Sequence, residues 1–198
     1  MLTRTWPWTA DPGYKVSVTN PTDSELVAAS LAGNRDAFGL LVERHQRHVY
    51  QLCYRFVGNH EDASDLAQDV FIRAFRSLKT FKGDAALGTW LHRIAVNVSL
   101  NRVASAKVRT EPLDVLLRIG DARVVAASES ASDALLREER AAHVRAAVAQ
   151  LPRKQRATLI LRVYHDLSHQ EIADILGSSV GAVKANFFHA LNNLKKLL

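Results

Sequence analysis

The stretch from Leu167 to Leu198, LSHQEIADILGSSVGAVKANFFHALNNLKKLL, sets down a helix start, a helix stop and a second helix in quick succession. Ser168 and Glu171 have capping-box spacing: the hydroxyl accepts an orphan amide of the first turn, and the carboxylate reaches back to the amide of the cap. Ile172, Ala173, Ile175 and Leu176 give a short helix one apolar face. Gly177 stands where that helix must end, because glycine tolerates the left-handed conformation after the last turn. Ser178 and Ser179 fill the turn, and either hydroxyl can cap the next helix. Val180, Val183, Phe187, Ala190, Leu191, Leu194 and Leu197 then recur at spacings of three and four, the signature of a second amphipathic helix. Two helices crossing at a small-residue turn form a helix-turn-helix, whose second helix usually enters a DNA major groove. Lys184, Asn186, His189, Asn192, Asn193, Lys195 and Lys196 lie off the apolar stripe, and no acidic residue follows Asp174. Amide side chains can read base edges, and lysines can neutralise phosphates.

The charge distribution agrees with that reading. The chain carries a net +6 and has a sequence pI near 9.7. From Leu151 onward there are seven Lys/Arg against three Asp/Glu, whereas Pro21–Leu100 has nine of each. The positive field therefore belongs to the helix-turn-helix end, as in a nucleic-acid footprint. A length of 198 residues allows one large or two small domains, and only nine glycines and five prolines favour helix over turn-rich sheet. The lone cysteine, Cys53, cannot form an internal disulfide; it reads as a small buried hydrophobe in a reducing, cytoplasmic protein. Residues 1–20 lack the apolar run of a signal peptide and read as a flexible tail, and no segment is apolar enough to span a bilayer.

Periodicity divides the remainder. Thr22 or Asp23 caps a first helix to about Ala32, and a second runs from about Arg35 to Val57 on the stripe Phe38, Leu41, Val42, His45, Val49, Leu52, Cys53 and Phe56. Asn59 caps a third helix, about His60 to Leu78. Ala63, Leu66, Val70, Phe71, Ala74, Phe75 and Leu78 form its buried stripe, and Asp65, Gln68, Asp69, Arg73 and Arg76 its dense polar face. Thr80–Gly88 breaks the pattern. Thr89 is expected to cap a fourth helix with Trp90, Leu91, Ile94, Ala95 and Val98 inside and Arg93, Asn97, Asn101 and Arg102 outside. From about Ser105 to Ser132, Pro112, Gly120 and the run AASESAS mark a linker, interrupted by Leu113, Val115, Leu116 and Leu117. Asp133 is expected to cap a helix reaching Gln150. Pro152 breaks it, and a further helix covers about Arg153 to Tyr164. No strand pattern appears. The expected fold is all-α: a tail over 1–20, a helical domain over 21–104, a flexible linker over 105–132, and a second helical domain over 133–198 ending in the helix-turn-helix.

Two stretches, DASDLAQDVFIRAFRSLKTFKGDAALGTWLHRIAVN and RAAVAQLPRKQRATLILRVYHDLSHQEIADILGSSVGAVKA, give the chain a specific resemblance. It resembles the bacterial RNA polymerase sigma factors of the extracytoplasmic-function (ECF) type, over nearly everything from Pro21 to Leu198 except the linker. The resemblance implies that the chain catalyses nothing and needs no cofactor or metal. It implies instead a protein that binds core polymerase, places it on promoters through two contacts and assists melting. The helix over Asp62–Leu78 would dock on the clamp helices of the largest polymerase subunit through Asp65, Gln68, Asp69 and Arg73; the flap region would be a further polymerase contact. Phe81, Lys82, Asp84, Thr89, Arg93, Asn97 and Asn101 would engage the −10 element, with an unstacked base held by the Phe81–Thr89 loop. Ser179, Lys184, Ala185, Asn186, Phe188 and His189 would read the −35 element, with Phe187 in the core and Phe188 facing the groove. Family members often carry arginines along this last helix. Lysine lacks the bidentate fork of arginine, so the usual −35 consensus does not transfer. An anti-sigma partner is expected from the same resemblance.

Two other readings compete. His60-Glu61-Asp62 and His165-Asp166 echo helical metal phosphohydrolases, but such a site needs several ligands to converge. A one-component regulator, with a sensor domain over Pro21–Leu100 and no polymerase docking, is the alternative among DNA-binding proteins.

Overall fold

The computed structural model describes residues 21–109 and 131–198. Among these, eight α-helices and one short 3-10 turn account for the regular structure, and no strand is present. The expected tail and the centre of the expected linker, including Leu113, Val115, Leu116 and Leu117, lie outside the described residues.

The first domain is built from α1 (Asp23–Leu31), α2 (Arg35–Val57), α3 (His60–Ser77), the 3-10 turn Leu78–Thr80 and α4 (Leu87–Arg109). Local chemistry sets the ends. Thr22 and Glu25 form a full capping box on α1, Asn34 accepts from the amides of Asp36 and Ala37 at the start of α2, and Asn59 caps α3. Each such cap contributes roughly 1 kcal/mol. Gly58 closes α2 in the left-handed region at φ 78°. The apolar stripes meet in a core of Leu41, Val49, Leu52, Cys53 and Phe56 from α2, Ala63, Val70 and Ala74 from α3, and Leu91, Ala95 and Val96 from α4. Small residues on α3 and α4 let the helices approach closely. Burial of each large aliphatic side chain contributes about 1.5–3 kcal/mol.

The second domain comprises α5 (Ala131–Gln150), α6 (Arg153–Tyr164), α7 (His169–Leu176) and α8 (Val180–Leu197). Ala157, Ile160, Leu161, Ile172, Val183 and Ala190 have no accessible surface and form its centre. The α6–α7 loop is pinned by Arg162, which donates to the Leu167 carbonyl at 2.8 Å.

Five expectations need correction. Thr89 does not cap α4: the helix already includes Leu87, and the Trp90 amide donates to the Ala86 carbonyl at 3.2 Å. Burial of Leu87 within the first turn outweighs the capping preference of a threonine two residues on. Asp133 lies inside α5 rather than before it, and α4 continues to Arg109 into the stretch read as linker. Phe75 is half exposed, because it lies at the edge of the stripe and leans on Phe38 edge-to-face at 4.9 Å. Leu191 is likewise 46% exposed, on the outer flank of α8.

Candidate nucleic-acid interface

The helix-turn-helix forms as its sequence demands. The Ser168 hydroxyl accepts from the Glu171 amide at 3.2 Å, and the Glu171 carboxylate accepts from the Ser168 amide at 2.7 Å. Hydrogen bonds to the Glu171 carboxylate from the Ser168 hydroxyl first, and from the Ser168 amide second, hold that carboxyl below its ordinary pKa. Gly177 ends α7 at φ 57°, ψ 46°. Ser179 caps α8 by accepting from Ala182 at 3.2 Å, which settles which of the two serines does so. Val183 and Ala190 are buried and Phe187 is partly buried against the core, so one face of α8 is committed. The opposite face presents Lys184, Ala185, His189, Lys195 and Lys196 to solvent, with Asn186 half-buried at its margin. Phe188 is 62% exposed although its neighbour Phe187 packs inward. A large exposed aromatic on a cationic helix is suited to touching an apolar group such as a thymine methyl in a groove. Asn193, expected to face outward, instead donates to Gln155 at 2.8 Å and holds α8 on α6.

In the first domain, Asp65, Gln68 and Arg73 are exposed on α3 and Asp69 is half-buried beside them. Arg73 and Asp69 pair one turn apart at 3.0 Å. Beyond α3, the loop 81–86 exposes Lys82 and Asp84. Phe81 folds back to lie 5.4 Å from the Trp90 ring, and both rings are only partly buried. Thr89 is half-buried in the first turn of α4, so the loop is shorter than the sequence suggested. Arg93, Asn97 and Asn101 are all exposed, at spacings of four along α4.

Two of those three already have partners in the second domain. Arg93 donates through Nη2 to the Asp174 carbonyl on α7, and Asn101 accepts from Arg153 at 3.1 Å. Sequence reasoning missed this junction. It also missed two further contacts there: the buried Arg156 donates to the Phe56 carbonyl, and His92 meets His165 edge-on at 5.5 Å. Nothing local marks these residues, since Arg156 sits in the cationic first turns of α6 like any solvated arginine.

The histidines of the metal-enzyme reading have different partners. His60 Nδ1 is hydrogen-bonded to the Tyr50 hydroxyl, whereas His165 faces His92. Among the described residues no group of three or more His, Cys, Asp or Glu is arranged to hold a metal ion. Also among the described residues, no helix is long and apolar enough to cross a membrane.

Comparison with known proteins gives this pair of helical domains its class. The family model for Sigma-70 region 2 matches residues 41–109, and that for Sigma-70 region 4 matches residues 142–194. The chain is 36% identical to the RNA polymerase sigma-H factor of Pseudomonas aeruginosa, covering 91% of this chain and 96% of that one. It is 33% identical to the ECF RNA polymerase sigma factor SigW of Bacillus subtilis (84% and 91% covered) and 35% identical to the ECF sigma-E factor of Escherichia coli (85% and 90%). Among solved structures it resembles CnrH in complex with the cytosolic domain of CnrY, at 28% identity and a TM-score of 0.62, covering 88% of this chain and 96% of that one. The sigma factor RpoE of Bartonella quintana, bound to its anti-sigma factor NepR, shares the fold at 21% identity and a TM-score of 0.60, with 81% and 95% covered. The chain belongs to the sigma-70 family of RNA polymerase sigma factors, in its extracytoplasmic-function branch. It is therefore a transcription initiation factor.

Proposed function

We propose that residues 21–104 dock on core RNA polymerase and engage the −10 element, and that residues 133–198 read the −35 element. On this reading the polymerase clamp helices meet the α3 face of Asp65, Gln68, Asp69 and Arg73. The loop residues Phe81, Lys82 and Asp84, with Thr89, Arg93, Asn97 and Asn101 of α4, face the opened strand. Ser179, Lys184, Ala185, Asn186, Phe188 and His189 enter the major groove. The observation that carries the proposal is the division of α8, whose buried Val183 and Ala190 leave lysines and a 62%-exposed Phe188 on the other side. Two weak contacts held at fixed spacing by polymerase give avidity that neither has alone.

The factor would act in the cytoplasm, where polymerase and the genome are. An anti-sigma protein is its proposed regulator, as the resemblance to extracytoplasmic-function sigma factors implies; RpoE, which shares its fold, is bound to one. Co-fractionation with sigma-free core polymerase tests the docking. A stable one-to-one complex is expected. A chain that ignores core polymerase, yet binds palindromic duplexes as a dimer, would make it a one-component regulator instead.

A further inference from the structure

The contacts between the two domains share a pattern. Phe56 lies in the last turn of α2, and Asp174 in the last turn of α7. Carbonyls in a final helical turn have no intrahelical donor and carry the negative end of the helix dipole, so a cation is favoured there. Arg156 of the second domain donates to the Phe56 carbonyl, and Arg93 of the first donates to the Asp174 carbonyl. Each domain therefore caps a helix C-terminus of the other with an arginine. Arg55 adds a third cationic contact, with its guanidinium carbon 4.1 Å from the centre of the Tyr164 ring. Arg156 is 7% exposed, and burial pulls its pKa down to about 10, which still leaves it charged at neutral pH.

The same junction holds the His92–His165 pair, and His92 directly precedes Arg93 on α4. His92 on α4 faces His165, His48 and His45, and Glu171 of α7 is the acid that acts on it among the described residues. His165 faces Arg55, His48 and His92, and its Nε2 is buried with no hydrogen-bond partner among the described residues. An added proton here meets cations and other imidazoles at a junction already crowded with arginine. Burial first, and these like charges second, hold both histidines down to about 4.

We infer that the two domains close on each other through this reciprocal arginine clasp, and that the His92–His165 pair makes the closure proton-sensitive, releasing it on acidification. Closure engages Arg93 and Asn101 with the second domain, so the released form alone has both available. That consequence rests on their assignment to the −10 element; closure itself does not. The sign comes from linkage. Both histidines bind protons more weakly when closed, so closure is undiminished only well above pH 6.5, where each is neutral in either form, and is progressively lost as the pH falls through 6.5 toward 4. At pH 5 the ratio of closed to open molecules is expected to have fallen by on the order of tenfold or more.

Small-angle X-ray scattering of the full chain between pH 7.5 and 5.0, with circular dichroism on the same samples, tests the inference. The native protein should be compact at pH 7.5 and enlarged at pH 5.0, with helix content unchanged. The His92→Gln/His165→Gln variant should stay compact at both, and Arg156→Gln should be enlarged at both. An unchanged radius of gyration in the native protein would overturn the inference. So would equal expansion in the double histidine variant, or expansion that comes with loss of helix. Neither polymerase nor DNA is in the sample, so this test fails or succeeds apart from the promoter-reading assignment.

Discussion

Arg73 reaches back one turn along α3 and places its Nε 3.0 Å from both carboxylate oxygens of Asp69. The pair is largely exposed, and such i,i+4 pairs contribute only about 0.3–0.5 kcal/mol to stability. Its loss should scarcely affect folding. Replacing both residues with alanine is expected to leave the thermal transition within about 0.5 kcal/mol of native stability while abolishing the complex with core polymerase. Calorimetry and co-fractionation separate the two effects, and a variant that still co-fractionates would remove α3 from the docking site.

The turn of the helix-turn-helix allows a test in which two glycines respond oppositely. Gly177 is held at φ 57°, with nothing near the position a Cβ would take. Gly177→Ala should therefore cost about 1–2 kcal/mol through backbone strain alone. Gly181 lies within α8, also in open space, and Gly181→Ala should stabilise by about 0.5–1 kcal/mol. Ser168→Ala removes the cap of α7 and should cost about 1 kcal/mol. Urea midpoints followed by helical circular dichroism report all three. The same sign at both glycines would contradict the turn.

On α8, Lys184→Ala should weaken promoter binding by the polymerase holoenzyme across all sequences and reduce the salt slope by about one. Asn186→Ala should instead relax preference at one base position, by about 1–3 kcal/mol. Binding titrations at several salt concentrations, on a panel of −35 variants, distinguish these patterns. Unchanged preference after Asn186→Ala would show that the amide reads no base.

Cys53 has no accessible surface, and burial pushes its thiol up to about 11. Since only the thiolate reacts, well under about 1% is reactive at pH 8. A thiol reagent should leave the native protein untouched at that pH and modify it stoichiometrically in denaturant. Rapid modification of the native chain would contradict the burial.

The features legible in the sequence were mostly local or periodic. The Ser168–Glu171 box, the Gly177 stop and the stripe of α2 each show in a few adjacent residues, because caps and amphipathic faces are written at spacings of three and four. Phe187 belongs to the same kind of stripe, whereas the outward placing of Phe188 is what the family resemblance implies; in the structure Phe187 is partly buried and Phe188 exposed. Where two local signals competed, the apolar one prevailed, so Leu87 drew the start of α4 ahead of Thr89. The junction was not legible. Arg156 and Phe56 are 100 residues apart, Arg93 and Asp174 are 81, and periodicity tells which face is buried without naming its partner. Asn97 reads as an exposed amide both ways; the −10 role proposed for it comes from family resemblance alone.

Transcription by sigma-free core polymerase on a randomised promoter library, with and without this protein, tests the central claim most directly. Transcripts that depend on the protein and start downstream of two elements at fixed spacing are the expected result. No protein-dependent initiation, together with selective binding of the protein alone to palindromic duplexes, would contradict it.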